Sequence, residues 1–385
     1  MLINLWYVAE WSETVKEEPV KVKMLGQYFV LYRDDQGKVN CLSDVCLHRG
    51  GSLSGGRCIK GRVACPYHGW QFNGEGQVMH IPSEGEQFNI PDRARIDAYP
   101  TKEAYGMIWV FLGDQPEDER PDIPELPEYG DPNWRAITDE WEWKAEAARV
   151  IENGIDLAHA SFVHPMFGYP ETVEENKILK VEKDDWHGQS WNVQYPPELT
   201  GGFLNWRKLI RKERQPTETI PAWYLNGFVV RIQINLNPTM SILMFDCNTP
   251  VDEHNTRTFA TQFRSFVKHP IFDSGSRKRL RKIFEEDTVV VEQTQPNYLP
   301  ENLANELSVK DDRFMSSFRS ARRRLIEEEG YLIDSRAMEI DKGRKVYTIP
   351  SPLRRERPDL KWVLETVPLV PAIRGEKAKY VEALS

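Results

Sequence analysis

Two short segments, Cys46-Leu47-His48 and Cys65-Pro66-Tyr67-His68, each carry one thiol and one imidazole, and sixteen residues separate them. Neither arm can surround an ion alone, so the intervening chain must fold two loops face to face. A hairpin framework meets that demand, and the flanking sequence supplies one. Residues 28–32 and 39–42 bracket the turn signal Asp34-Asp35-Gln36-Gly37, and residues 70–72 and 77–79 bracket Asn73-Gly74-Glu75-Gly76. The first third, residues 1–114, is therefore expected to be a small antiparallel β domain that closes on the apolar run Ile108-Trp109-Val110-Phe111-Leu112.

Four of the five cysteines fall within 25 residues, too few and too clustered for a disulfide framework in a chain of 385 residues. In a reducing compartment such clustering points to metal. A structural zinc module pairs Cys with Cys and His with His, whereas both arms here are mixed. Mixed arms suit a Rieske [2Fe–2S] centre, in which Cys46 and Cys65 would hold one iron and His48 and His68 the other. Imidazoles in place of two thiolates raise the potential to roughly −150 to +300 mV, against about −400 mV for all-cysteine plant-type clusters. Gly50, Gly51, Gly55, Gly56 and Gly69 leave room for the backbone near the sulfurs. Cys41 and Cys58 fall outside the paired spacing and read as small buried residues.

Residues 115–132 hold five prolines among acids, a composition that forms neither helix nor central strand, and they are expected to link two domains. Beyond them, residues 145–164 have helical character, residues 226–266 return to long β-rich runs, and helices are expected at about 276–294 and 311–329. The second domain, 133–348, thus mixes helices with an antiparallel sheet, an α+β class, and residues 349–385 form a tail without an assignable motif. A net charge of −9 provides no basic field for nucleic acid. No apolar stretch approaches the ~20 residues of a membrane span, and no basic leader precedes the first apolar residues, so a soluble, cytoplasmic protein is expected.

A second constellation lies in Glu152-Asn153-Gly154-Ile155-Asp156-Leu157-Ala158-His159, followed by His164-Pro165. In an unbroken helix His159 and His164 would diverge by about 140°. Their convergence requires the helix to end or bulge, and Pro165 gives His164 a reason to leave the α region. Two converging imidazoles need one carboxylate to become the facial triad of a non-haem Fe(II) oxygenase. Asp287 is the best candidate, because Leu280, Ile283, Phe284, Val290 and Val291 lie at helical spacing around it and would bury it, with Glu285 and Glu286 toward the flanks. Phe162, Met166, Phe228, Ile232 and Ile234 are candidates for lining a cavity nearby.

These residues together resemble the oxygenase α subunits of the Rieske non-haem iron oxygenases, over roughly residues 5–300. Cys46-Leu47-His48-Arg49-Gly50 and Cys65-Pro66-Tyr67-His68-Gly69-Trp70 are similar to the family's cluster loops. Glu152-Asn153-Gly154-Ile155-Asp156 with His159 and His164 is similar to its iron segment, and Phe284-Glu285-Glu286-Asp287 with Val291-Glu292 to the stretch that holds its carboxylate. The resemblance implies a Rieske domain followed by a helix-grip catalytic domain, a [2Fe–2S] cluster and a mononuclear Fe(II), and a reductase or ferredoxin as electron donor. It implies a homotrimer arranged head to tail, in which Asp156 bridges His159 of one subunit and His68 of the next. Asn153 matches a residue near the iron without tight ligation. O2 and a small organic substrate would be consumed by hydroxylation or demethylation, as in the monooxygenase and demethylase branch. The alternatives are ring cis-dihydroxylation, a Rieske electron-transfer protein whose second domain lacks iron, and a zinc-stabilised interaction protein.

Overall fold

The structure, a computed structural model, describes residues 1–164, 170–195, 216–300, 303–341, 343–376 and 378. The chain forms two compact units, residues 1–123 with 249–253 and 324–385, and residues 124–248 with 254–323.

Residues 1–123 of the first unit are built from short strands in three sheets. β1 (Leu5–Trp11), β2 (Val20–Met24), β3 (Gln27–Arg33), β4 (Val39–Ser43), β5 (Arg57–Ile59), β6 (Arg62–Ala64), β7 (Gln71–Phe72), β8 (Val78–His80), β9 (Ala98–Tyr99), β10 (Thr101–Ala104) and β11 (Met107–Leu112) follow one another along the chain. They order as β1-β11-β10, β2-β3-β4-β9 and β5-β6-β7-β8. Both expected hairpins form. β3 pairs antiparallel with β4 across a turn in which Asp34 Oδ1 accepts from the amides of Gln36 and Lys38, and β7 pairs with β8 where Asn73 Oδ1 accepts from Glu75 and Gln77. Val63, Phe72, Val78 and Ile96 pack with Cys46 and Cys65 in one buried cluster, so the thiols sit on the hydrophobic core.

Residues 324–348, expected in the second domain, and 349–385, expected as a tail, both cluster with this first unit. The reason is a buried carboxylate. Asp97, fully shielded from solvent, accepts from Arg354 Nε and Nη2 at 2.7 Å each, from Ser351 Oγ at 2.8 Å and from Thr348 Oγ1 at 2.7 Å. Close by in the same unit, Ile3 N–H donates to Tyr331 O and Ile333 N–H to Met1 O.

The second unit is a seven-stranded sheet ordered β12-β18-β17-β16-β15-β14-β13, with β12 (Arg135–Trp143), β13 (Lys177–Lys183), β14 (His187–Gln194), β15 (Thr217–Tyr224), β16 (Val229–Asn237), β17 (Met240–Pro250) and β18 (Thr256–Arg264). Neighbours β15, β16 and β17 run antiparallel, and side chains directly opposite share a face, which sets up the rows Trp223–Val230–Asp246, Pro221–Ile232–Met244 and Thr219–Ile234–Ile242. Helices α1 (Ala147–Ile155), α2 (Ala160–Val163), α3 (Asp273–Val291) and α4 (Arg313–Glu327) accompany the sheet. The rows lie on its helix-covered face. Trp223 Nε1 donates to Ser317 Oγ of α4 at 3.0 Å, and Leu280, Phe284 and Val291 of α3 cluster with Trp143, Met244 and Ala260. Gly154 of α1 lies so close to the sheet that a Cβ there would come within 3.0 Å of Val230 Cγ1. No helix among the described residues is long and apolar enough to cross a membrane.

Candidate metal centres

The two Cys/His loops of the first unit have the same backbone construction. Cys46 N–H donates to Gly51 O and Gly50 N–H returns to Cys46 O; in the second loop Cys65 N–H donates to Trp70 O and Gly69 N–H to Cys65 O. Each loop closes through a left-handed glycine, Gly50 at φ 70° and Gly69 at φ 73°, where an L side chain would be strained. Asp44 staples the first loop at its ends, accepting from Ser52 Oγ and Ser54 N, both at 2.6 Å, and from Ser54 Oγ at 2.7 Å.

The four side chains separate by chemistry. Cys46 and Cys65 are buried, His48 is half-buried and His68 is exposed. The imidazoles approach edge to face with centroids 4.6 Å apart, His48 stacks on Trp70 at 4.7 Å, and His68 stacks on Tyr67 at 4.0 Å. Burial and the adjoining Cys65 thiol push Cys46 up to about 12, against the pull of the His48 and Arg49 amides. A group that binds both sulfurs as thiolates replaces that unfavourable state. Among the described residues His48 Nδ1 is buried without a hydrogen-bond partner, an open donor position that a metal satisfies. A single tetrahedral zinc would draw all four donor atoms within about 4 Å of one another. Among the described residues, the one group of three or more potential ligands whose donor atoms lie within 4.8 Å of one another is a different one. The layout, sulfurs inward and nitrogens outward, fits a two-iron cluster.

That other group is His159, His164 and Asp287 in the second unit. The segment expected as one helical stretch is two helices, with the break at Asp156–His159. Asp156 leaves the helix at φ −80°, ψ 121°, its amide still reaching Glu152 O and Asn153 O, and its Oδ1 accepts from Ala158 N–H at 2.8 Å, which turns the chain. α2 then begins, and His164 ends it in extended conformation. Pro165, the sequence-based reason for that ending, and Met166 lie outside the described residues. The break gives the two imidazoles their common direction. His159 Nε2 lies 3.3 Å and His164 Nε2 3.1 Å from Asp287 Oδ1, with the ring centroids 5.3 Å apart.

Asp287 is buried on the stripe of Ser276, Leu280, Phe284 and Val291; Val290, expected on it, is instead exposed. Burial works against the Asp287 carboxylate, but the two histidines more than offset it and hold its pKa below the usual range. Burial likewise opposes a charge on His159, yet Asp156 and Asp287 overcome this and push it up to about 9. A field that holds a proton between these groups can hold a divalent cation, and two imidazoles with one carboxylate are the donor set of a facial Fe(II) site. Asn153 Nδ2 lies 3.4 Å from Asp287 Oδ1, and Asp156 Oδ2 lies 3.6 Å from His159 Nδ1.

Two acids near this group carry more than the sequence suggested. Glu286, expected on the flank, turns its Oε2 to His164 Nδ1 at 2.9 Å. Asp246 on β17 is buried, and burial together with the charge of Asp287 pushes it up to about 7. Among the cavity candidates, Phe228 is buried, Ile232 and Ile234 are half-buried against the α3 cluster, and Phe162 is exposed, so it packs no cavity wall.

A β domain presenting a Cys2His2 pair of loops, followed by an α+β domain presenting two histidines and a carboxylate, defines a two-centre iron protein of the oxygenase type. Comparison with known proteins specifies it further. Residues 5–100 match the Rieske [2Fe-2S] domain and residues 143–328 the vanillate O-demethylase oxygenase C-terminal domain. Methylxanthine N1-demethylase NdmA of Pseudomonas putida is 28% identical over 319 residues, 80% of this chain and 83% of that protein. Chloroplastic chlorophyllide a oxygenase of Chlamydomonas reinhardtii is 39% identical over 165 residues, 42% of this chain, which spans only 24% of that protein's length. The structure of NdmA from Pseudomonas putida CBB5 with caffeine superposes with a TM-score of 0.71 at 24% identity, covering 84% of this chain and 91% of that one, a likeness of fold. The chain belongs to the Rieske non-haem iron oxygenases as an oxygenase α subunit, with that family's [2Fe–2S] cluster and mononuclear iron as its cofactors.

Proposed function

We propose that the protein is the oxygenase component of a system that takes electrons from a reductase or ferredoxin and uses O2 to hydroxylate or demethylate a small organic substrate. The convergence of His159, His164 and Asp287 within 4.8 Å carries this reading, because an electron carrier has no use for an open facial site. The cluster, when bound, stores single electrons, and the ferrous ion supplies the O2 chemistry. Monooxygenation of a methyl group consumes O2, two electrons and two protons and yields water and a hydroxymethyl group. On nitrogen or oxygen that group collapses to formaldehyde and a free N–H or O–H. Demethylation is favoured by the name of NdmA and by the vanillate O-demethylase domain matched at 143–328.

In this reading Cys46 and Cys65 hold the cluster on the core, while His48 and His68 present it toward the surface. Glu286 fixes the tautomer of His164 by accepting from Nδ1, so that Nε2 faces the metal position. Asp156 Oδ2, 3.6 Å from His159 Nδ1, holds that ring by charge and, being a quarter exposed, has an oxygen free to meet His68 of a second copy in a head-to-tail homotrimer. Asn153 steadies Asp287. The five free cysteines suit a reducing, cytoplasmic setting.

Iron analysis and an oxygen-uptake screen of N-methyl and O-methyl aromatics with a surrogate reductase test the proposal together. The expected result is a mononuclear iron beyond the two cluster irons, and formaldehyde formed in step with O2. Asp287→Ala should lose the mononuclear iron and keep the cluster spectrum. Cluster iron alone, with no O2 uptake, would make the protein an electron carrier.

A further inference from the structure

On the helix-covered face of the sheet beneath the His159–His164–Asp287 group, Asp246 is the one ionisable residue of the β15–β16–β17 rows. These rows present Val230, Ile232, Ile234, Ile242 and Met244, then Asp246. Asp246 stands directly across from Val230, the residue that touches Gly154 of α1, and Gly154 is next to Asn153, which reaches Asp287. Ile232, Ile234 and Ile242 stay half-buried although they face the helices, whereas Asp246 is 8% exposed. The floor is thus a greasy shelf with a carboxyl at its inner end.

Among the described residues, the polar groups nearest Asp246 are hydrogen-bonded, and the Thr219 hydroxyl at the far row is the other buried group of these rows without a partner. Asn248 donates to Asp246 O and accepts from Thr258 Oγ1, and Trp143 Nε1 donates to Thr258 Oγ1. Nearby acids are matched by cations: Asp139 by Arg281, Glu152 by Arg319, and Asp287 engages the two histidines. Among the described residues, Asp246 Oδ1 is buried with no hydrogen-bond partner. A desolvated carboxyl oxygen of this kind is costly, and a donor brought by a ligand removes the cost.

We propose that Asp246 is the substrate anchor, and that this face takes an apolar organic molecule bearing a protonated amine whose N–H donates to Asp246 Oδ1. The proposal rests on the oxygenase reading for the word substrate, and its chemistry on the unmatched carboxyl. A hydroxyl would also donate to the carboxylate, but an ammonium adds the attraction of opposite charges in a poorly hydrated place, so it is preferred over a hydroxyl of the same shape. A carboxylate in that position would be repelled.

The test uses titration calorimetry on the iron-loaded protein with matched triples: benzylamine, benzyl alcohol and benzoate, and 2-phenylethylamine, 2-phenylethanol and phenylacetate. In at least one triple the amine should bind ten times more tightly than the alcohol, with the acid weakest. Asp246→Asn should abolish that preference by weakening amine binding far more than alcohol binding, with the melting temperature unchanged or higher, since it removes a buried unmatched acid. Absence of the preference from both triples, or its survival in Asp246→Asn, overturns the assignment. Binding is read without reductase or O2. An active oxygenase with no amine preference would refute only the anchor, and an inactive protein that shows it would refute only the oxygenase reading.

Discussion

Replacing Glu286 with alanine isolates the contribution of one second carboxylate to iron retention. Glu286 Oε2 is 2.9 Å from His164 Nδ1, and His164 Nε2 faces Asp287 Oδ1 at 3.1 Å. The Glu286 side chain is 20% exposed and that of His164 only 5%, so the pair works in a poorly hydrated place. Removing the acceptor frees the imidazole to rotate and to place its proton on either nitrogen. Loss of such a partner typically costs 10- to 100-fold in metal affinity, roughly 1.4–2.8 kcal/mol. Glu286→Gln keeps a neutral acceptor, and a neutral hydrogen bond is about half as strong as a charge-assisted one, so its loss should stay below tenfold. The assay follows iron released to a ferrous chelator, with the cluster absorbance as an internal standard. The mononuclear iron should leave the alanine variant at chelator concentrations ten to a hundred times lower than in the parent, with the cluster unaffected. Equal retention in parent and alanine variant would show that His164 is held by something other than Glu286.

Asp156→Ala should keep both iron centres and a cluster that the reductase reduces normally, yet lower turnover by at least about 100-fold, as expected for loss of a residue acting in the reaction step; normal product formation would contradict the bridge from Asp156 to His68 of a second copy. Asp273 at the start of α3 accepts from Arg264 Nη2 at 2.5 Å and Arg135 Nη2 at 2.6 Å, and these partners hold its pKa down to about 2 from an ordinary 3.8. Because the folded-state pKa is the lower one, the stabilisation is complete above about pH 5 and fades as the pH falls through 3.8 toward 2. Asp273→Asn should therefore be less stable than the parent at pH 7 by no more than about 1 kcal/mol, since solvent screens these ion pairs, with a gap in urea midpoint that narrows in acid; a gap independent of pH would remove the ion pairs from the account.

The cluster loops were legible because their chemistry is local: each arm spans three or four residues, and its glycine turn lies in the same loop. Asp287 was legible through periodicity, since an acid on a stripe with Leu280 and Phe284 has to be buried. His164 leaves its helix in extended conformation as expected, but the earlier break is made by Asp156, whose carboxylate captures the Ala158 amide, a competition between side chain and backbone that spacing alone does not resolve. Glu286 was read as flanking because a helical wheel shows direction and not reach, and its partner lies 122 residues away. Asp246 became visible only with strand order, which sets its carboxyl beside Val230 and beneath α1. The return of residues 324–385 to the first unit had no local signature either, because Asp97 and Arg354 are 257 positions apart.

That return fixes a timetable for biosynthesis. A ribosome completes both cluster loops early, yet the segment that quenches Asp97 is made only after the entire seven-stranded sheet has emerged. Until Thr348, Ser351 and Arg354 arrive, the half synthesised first carries a bare acid in its interior. The iron–sulfur half is therefore begun first and finished last, and a chain stopped short of Arg354 should leave its nascent cluster in an unsealed shell.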